Sequence, residues 1–170
     1  QEGARHRILF ADGEDERVLR ATQVILEEQL ATPILIGRPE VVATRLERAG
    51  LRIKPGIDFE LVNPQDDSRY RECWTAYHKL MARRGVTPDI AKSEMRRDTT
   101  LMGAMLMKLG HADGMICGVI GQYSDHLQVV SEVIGKRTGT NVFAAMNYLM
   151  LPGRSLFITD THVNENPDAE

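Results

Sequence analysis

The residues with the most chemical promise lie in one stretch, Gly118-Val119-Ile120-Gly121-Gln122-Tyr123-Ser124-Asp125, with Gln128 a turn further on. A short apolar run at 114–118 precedes it, and a helical pattern starts at Ser124. Open parallel sheets bind ligands just outside the carboxyl ends of their strands. Free backbone N–H groups at the start of the next helix suit an anion such as phosphate. Asp125, in that first turn, would partly repel one. The same residues also read as a plain strand-to-helix connection with Ser124 as its cap, and spacing alone does not choose between the two.

Two further cations draw attention. Arg83 and Arg84 precede Gly85 at the end of a helical pattern, where a phosphate anchor is one reading. The other is a pair of cations favoured by the helix dipole. Arg96-Arg97 reads as a solvated helix end. The acidic turn Glu14-Asp15-Glu16 is better explained by the dipole of the helix it opens than as a metal site. His78 and His111 are isolated, and Asp160 with His162 on one extended segment does not make a metal site. Asn164, Asn166 and Asp168 alternate as in a calcium loop, but Pro167 and the lack of the required Gly and Glu exclude one. No P-loop, dinucleotide fingerprint or nucleophile elbow occurs. Cys73 and Cys117 read as reduced, buried or half-buried thiols.

These groups need elements to hold them. Strands are expected at 7–11, 33–37, 59–62, 114–118 and 155–159, and a further buried run at 141–151. Between them lie helical patterns from the acidic turn to Gln29, at 40–49 before Gly50, and at 68–84. Thr87-Pro88 opens another helix, Asp98 caps one over 99–109, and the last runs from Ser124 to about Ile134. Short apolar strands alternating with longer helices predict an α/β fold, a parallel sheet covered on both faces. Glycine and charge at 135–140 suggest a border, giving a first lobe at 1–138 and the beginning of a second α/β lobe at 139–170.

Of the 170 residues, 42% are hydrophobic and 26% charged, with a net charge of -3. This is an ordinary globular composition and lacks the basic excess of a nucleic-acid protein. No apolar run approaches the ~20 residues of a membrane helix, and no signal peptide is seen, so a cytoplasmic location is expected. Gln1 in place of Met, and the polar end at Glu170, suggest a piece of a longer chain.

The order of segments resembles the phosphate acetyl/butyryltransferase (phosphotransacetylase) family. The anchors are Gly13-Glu14-Asp15-Glu16-Arg17 after the first strand, Ile34-Leu35-Ile36-Gly37, Arg84-Gly85-Val86-Thr87, Leu109-Gly110-His111-Ala112-Asp113-Gly114, Cys117-Gly118, Ser124-Asp125-His126-Leu127 and residues 164–170. Closer similarity is to the version fused behind bacterial NADP-dependent malic enzymes, carried by residues 11–21, 33–39, 58–64 and 83–88. The resemblance implies a three-layer α/β/α fold of the isocitrate/isopropylmalate dehydrogenase-like kind. It implies a regulatory appendage that forms homo-oligomers, binds acetyl-CoA as an inhibitor, and follows an N-terminal malic enzyme domain. That absent domain would use NADP and Mg or Mn to convert malate to pyruvate and CO2. Active transferases of the family carry Arg one residue after Asp-x-Leu, where this chain has Gln128. Their catalytic Ser-Arg and Asp come from a C-terminal end this chain lacks, so no acetyl transfer is expected of it. A truncated active transferase and a ligand-free oligomerisation module are the alternatives.

Overall fold

The computed structural model describes residues 5–161 together with Val163 and Asn164. The resemblance anchor at 164–170 and the calcium-like pattern therefore fall almost wholly outside the described residues, as does His162. Two compact units form, Gln1–Ile134 and Gly135–Glu170.

In the first unit, β1 (Arg7–Phe10), β2 (Thr32–Ile36), β3 (Glu60–Val62) and β4 (Gly114–Ile116) make a sheet of order β3-β2-β1-β4. Every pairing is parallel. The chain winds outward through β1, β2 and β3, then crosses back to place β4 on the other side of β1. The switch point therefore lies between β1 and β4.

Alternate side chains leave the sheet on opposite faces. Leu9, Ile34, Ile36 and Val62 pack with α3 (Tyr70–Met81), α4 (Pro88–Arg97) and α5 (Thr99–Lys108). Phe10, Leu35 and Phe59 pack on the other face with α1 (Glu16–Glu27) and α2 (Pro39–Ala49). The three layers expected from the sequence are present.

Local chemistry sets the helix ends. Asp15 caps α1 by accepting from the Arg17 N–H, Thr87 caps α4, and Asp98 caps α5. Gly50 ends α2 in the left-handed region at φ 66°. Helix α5 is buried without a break from Thr100 to Leu106. Gly103 allows its close approach, since a Cβ there would stand 2.7 Å from Leu9 Cδ2.

Three boundaries differ from the sequence reading. The helix expected at 68–84 is α3 followed by a 3-10 turn at Ala82–Arg84, and Gly85 closes it at φ 88°. Strand β4 stops at Ile116 rather than Gly118, because Gly118 turns away at φ 90°. Gln122, not Ser124, stands at the N-cap of α6 (Tyr123–Val133), so Ser124 lies inside the first helical turn. Its hydroxyl donates to Asp125 Oδ1 at 3.3 Å instead of capping backbone.

In the second unit, β5 (Met146–Leu151) and β6 (Arg154–Thr159) form an antiparallel hairpin turned at Pro152-Gly153. The run at 141–151, which the sequence marks as buried in a whole second lobe and as exposed apolar surface along Val142 to Leu151 if that lobe is incomplete, is exposed at all six residues of β5. Among the described residues no helix is long and apolar enough to cross a membrane.

Candidate functional site

The loop after β4 is tied to the turn after β1 at the switch point. The Ala11 N–H bonds the Ile116 carbonyl at 3.0 Å, extending the β1–β4 ladder by one residue. Asp12 Oδ2 then accepts the Val119 N–H at 3.1 Å. Arg17 Nη2 donates to the Val119 carbonyl at 3.3 Å. Arg17 is itself forked onto Asp15, at 2.9 and 3.0 Å, whose carboxyl it holds below the usual range. The acidic turn thus acts as a clamp on the loop as well as a helix start.

His126 fixes the other side. Its Nε2 lies 2.8 Å from the Ile120 carbonyl, which can only accept, so Nε2 carries a proton. In the neutral ring Nδ1 then accepts from the buried Thr100 hydroxyl at 2.9 Å. The loop wraps this ring closely: a Cβ on Gly121, at φ 100°, would stand 2.9 Å from Nε2. The sequence places His126 in the informative stretch and in a resemblance anchor without giving it a role, and it does not point to Thr100. No spacing signal joins two residues 26 apart on different helices.

The candidate residues of the sequence fall in three places. Gly118, Gly121 and Tyr123 line a cavity of about 360 Å³ with Cys117, His126 and Leu127. Burial pushes the Cys117 thiol up from its ordinary value and Cys73 to about 12, so neither is a ready thiolate nucleophile. Asp125 and Gln128 line a different cavity, of about 500 Å³, with Glu94, Asp98, Glu132 and Arg97. Gln128 Nε2 donates to Glu132 Oε1 at 3.2 Å. Four carboxylates against one guanidinium make this a poor phosphate pocket. Arg84 sits 3.6 Å from Glu132, and Arg83 is exposed in the same 3-10 turn. Gln122 and Ser124 are exposed at the start of α6.

A third cavity, of about 390 Å³, was not read from the sequence. It lies beyond the carboxyl ends of β1, β2 and β3, lined by Asp12, Glu14, Arg38, Arg45, Arg96 and Arg97, among others, with the exposed Ile120 at its edge. Its arginines come from α2, the residue before it, and the end of α4, so only the winding of the sheet gathers them. Among the described residues no group of three or more His, Cys, Asp or Glu is placed to hold a metal ion.

Comparison with known proteins fits this architecture. The family model for phosphate acetyl/butaryl transferase matches residues 1–170. A "NAD-dependent malic enzyme" of Rhizobium meliloti is 53% identical over 98% of this chain and 22% of its own length. The "NADP-dependent malic enzyme" of Escherichia coli is 47% identical over 98% of this chain and 22% of its own. A "Phosphate acetyltransferase" of Nitratidesulfovibrio vulgaris is 31% identical over 98% and 23%. The chain spans about a fifth of the length of these relatives. Among solved structures, the EutD phosphotransacetylase of Staphylococcus aureus superposes with TM-score 0.82 at 22% identity, covering 96% of this chain and 48% of that one. The phosphotransacetylase of Streptococcus pyogenes gives 0.81 at 25%, covering 96% and 49%. With the family model matched from end to end, the chain belongs to the phosphate acetyl/butaryl transferase family.

Proposed function

We propose that this chain is the regulatory phosphotransacetylase-like part of a malic enzyme, in which it binds acetyl-CoA as an inhibitor and supports a homo-oligomer. The observation that carries the reading is Gln128. Where the resemblance expects a guanidinium, this chain has a neutral amide bonded to Glu132, in a cavity whose other charges are mostly carboxylates. Gln cannot supply the bidentate, always-charged grip of Arg on a phosphoryl group. Acetyl transfer thus lacks a partner here, while the loop cavity at Cys117, Gly118 and Tyr123 keeps an apolar wall for an acyl arm. Identity to two malic enzymes over nearly the whole chain supports the same assignment. Their names carry both NAD and NADP, so the nucleotide used by the dehydrogenase part is not decided by this segment.

The dehydrogenase part would hold the nucleotide and a divalent metal and decarboxylate malate to pyruvate in the cytoplasm. This chain would bias it through a coupling free energy of about 1–3 kcal/mol. An oligomer suits that relay because packed interfaces switch between discrete states. The exposed apolar hairpin supports a covering partner.

The test is malate oxidation by the full-length enzyme during an acetyl-CoA titration, with and without this segment. Inhibition that disappears on deletion is expected. Uninhibited enzyme, inhibition that survives deletion, or acetyl-CoA formation from acetyl phosphate and CoA would overturn the proposal.

A further inference from the structure

The arginine-lined cavity borders the Gln128 cavity, sharing Arg97 with it, and touches the loop after β4 at Ile120, but its other lining residues are its own and so is its chemistry. Its volume of about 390 Å³ falls within the ~300–1,000 Å³ span of small-ligand pockets. Its position beyond the carboxyl ends of three parallel strands is where open sheets take ligands.

The charge inventory has a definite sign. Arg38 forks onto Glu14 with two 2.8 Å bonds and holds that carboxyl below its ordinary range. Arg17, just outside the lining, does the same for Asp15. With those pairs cancelled, Arg45 and Arg96 face Asp12, an excess of one positive charge, and Arg97 on the border with the carboxylate-lined cavity adds a second that it shares with that neighbour. The Asp12 carboxylate is already occupied by the Val119 N–H.

The guanidiniums keep donors free. Each carries five N–H groups. Arg45 donates to the Glu14 carbonyl. Arg96 lays its face on the Tyr70 ring, 4.7 Å from the centroid, which leaves its N–H edge unused. Arg97 has no hydrogen-bond or ion-pair partner among the described residues. The end of α4 gives both Arg96 and Arg97 a favourable place by the helix dipole, but the dipole does not account for Arg45, from another helix, lining the same space. A planar fork of donors matches phosphoryl oxygens bidentately.

We infer that this cavity is a binding site for a phosphoryl dianion, presented either as a free polyphosphate or as the phosphate tail of a nucleotide. The ligand lies against Arg96 and Arg97, with Arg45 completing the cluster. The Arg38–Glu14 fork fixes the wall and does not bind. Because the ligand is held by charge at an open surface, binding weakens as salt is added.

The test is calorimetric titration of the full-length protein with inorganic pyrophosphate and, separately, with ADP. Arg97→Gln suits the variant because it removes no side-chain hydrogen bond or ion pair among the described residues; Arg45→Gln is the second variant, and Arg48→Gln, on the same helix as Arg45 but outside the cavity, the control. Saturable binding is expected, about tenfold weaker in Arg97→Gln, the loss of one charge-assisted hydrogen bond. Arg45→Gln should also weaken it and Arg48→Gln should not. Tighter binding of ADP assigns a nucleotide tail, and equal or tighter binding of pyrophosphate assigns a free polyphosphate. No saturable binding of either, or binding equally sensitive to Arg48→Gln, overturns the inference. Acetyl-CoA inhibition with no pyrophosphate or ADP binding would leave the regulatory reading standing and remove this one; the reverse result would do the opposite.

Discussion

At the residue scale, the site depends on a few close approaches. A Cβ on Gly13 would stand 2.6 Å from the Ile36 carbonyl oxygen and 2.8 Å from Leu35 Cβ, both fixed by the sheet. Gly13→Ala should therefore destabilise the protein by about 1–3 kcal/mol, in the range of overpacked interiors. Urea titration followed by circular dichroism measures it, and an unchanged midpoint would show that the turn gives way freely. Thr100→Val tests the His126 clamp. It leaves the ring nitrogen without a donor at a half-buried contact, which should cost about 1 kcal/mol. Amide exchange at 118–121 should quicken more than in the sheet. Equal quickening across the chain, or no change, would mean that His126 does not hold the loop.

At the element scale, caps and ion pairs hold the helices that carry the site. Asp67 accepts from the Arg69 N–H and is forked by its guanidinium at 2.9 Å. Burial pushes the Asp67 carboxyl up, but the bonds from Arg69 outweigh it and the net shift is downward. Arg69, bonded to Asp67 and Glu60, is shifted upward. A carboxyl with a lowered folded pKa contributes stability that is complete above its unfolded value, about 3.9. That stability is lost as pH falls through the folded value. Asp67→Asn should thus lower stability at pH 7 and flatten its dependence on pH below about 4, seen as converging denaturation midpoints of variant and wild type on acidification. Asp98→Ala removes the cap of α5, buried from Thr100 to Leu106, and should cost about 1 kcal/mol by the same assay.

At the scale of the whole molecule, the second unit carries an unmet demand. Its hairpin exposes Met150 at 78% and Phe157 at 64%, and Phe157 stacks on Tyr148 with ring centroids 4.8 Å apart. A two-stranded hairpin alone is marginal in water, and a contiguous apolar face of this kind marks an interaction surface. The 170-residue chain should associate at high concentration in size-exclusion chromatography with light scattering. Phe157→Lys should reduce that association, and a monomer at every concentration would show that the hairpin needs no cover.

The sequence alone determined the layers, because the elements that make them are written locally. Alternating apolar runs such as Ile34-Leu35-Ile36, and the caps Thr87, Asp98 and Gly50, act within a turn of themselves. It also carried the family resemblance and the neutral Gln128. Tertiary structure alone decided the switch-point clamp, the Thr100–His126–Ile120 contact and the arginine cavity. The pair Arg38 and Arg45 lies some fifty residues from the pair Arg96 and Arg97, and the two meet only because parallel crossovers bring the carboxyl ends of β1, β2 and β3 side by side. Ladder geometry likewise ended β4 at Ile116, where Gly118 leaves the plane of the sheet, and no local preference of the run 114–118 announces that stop.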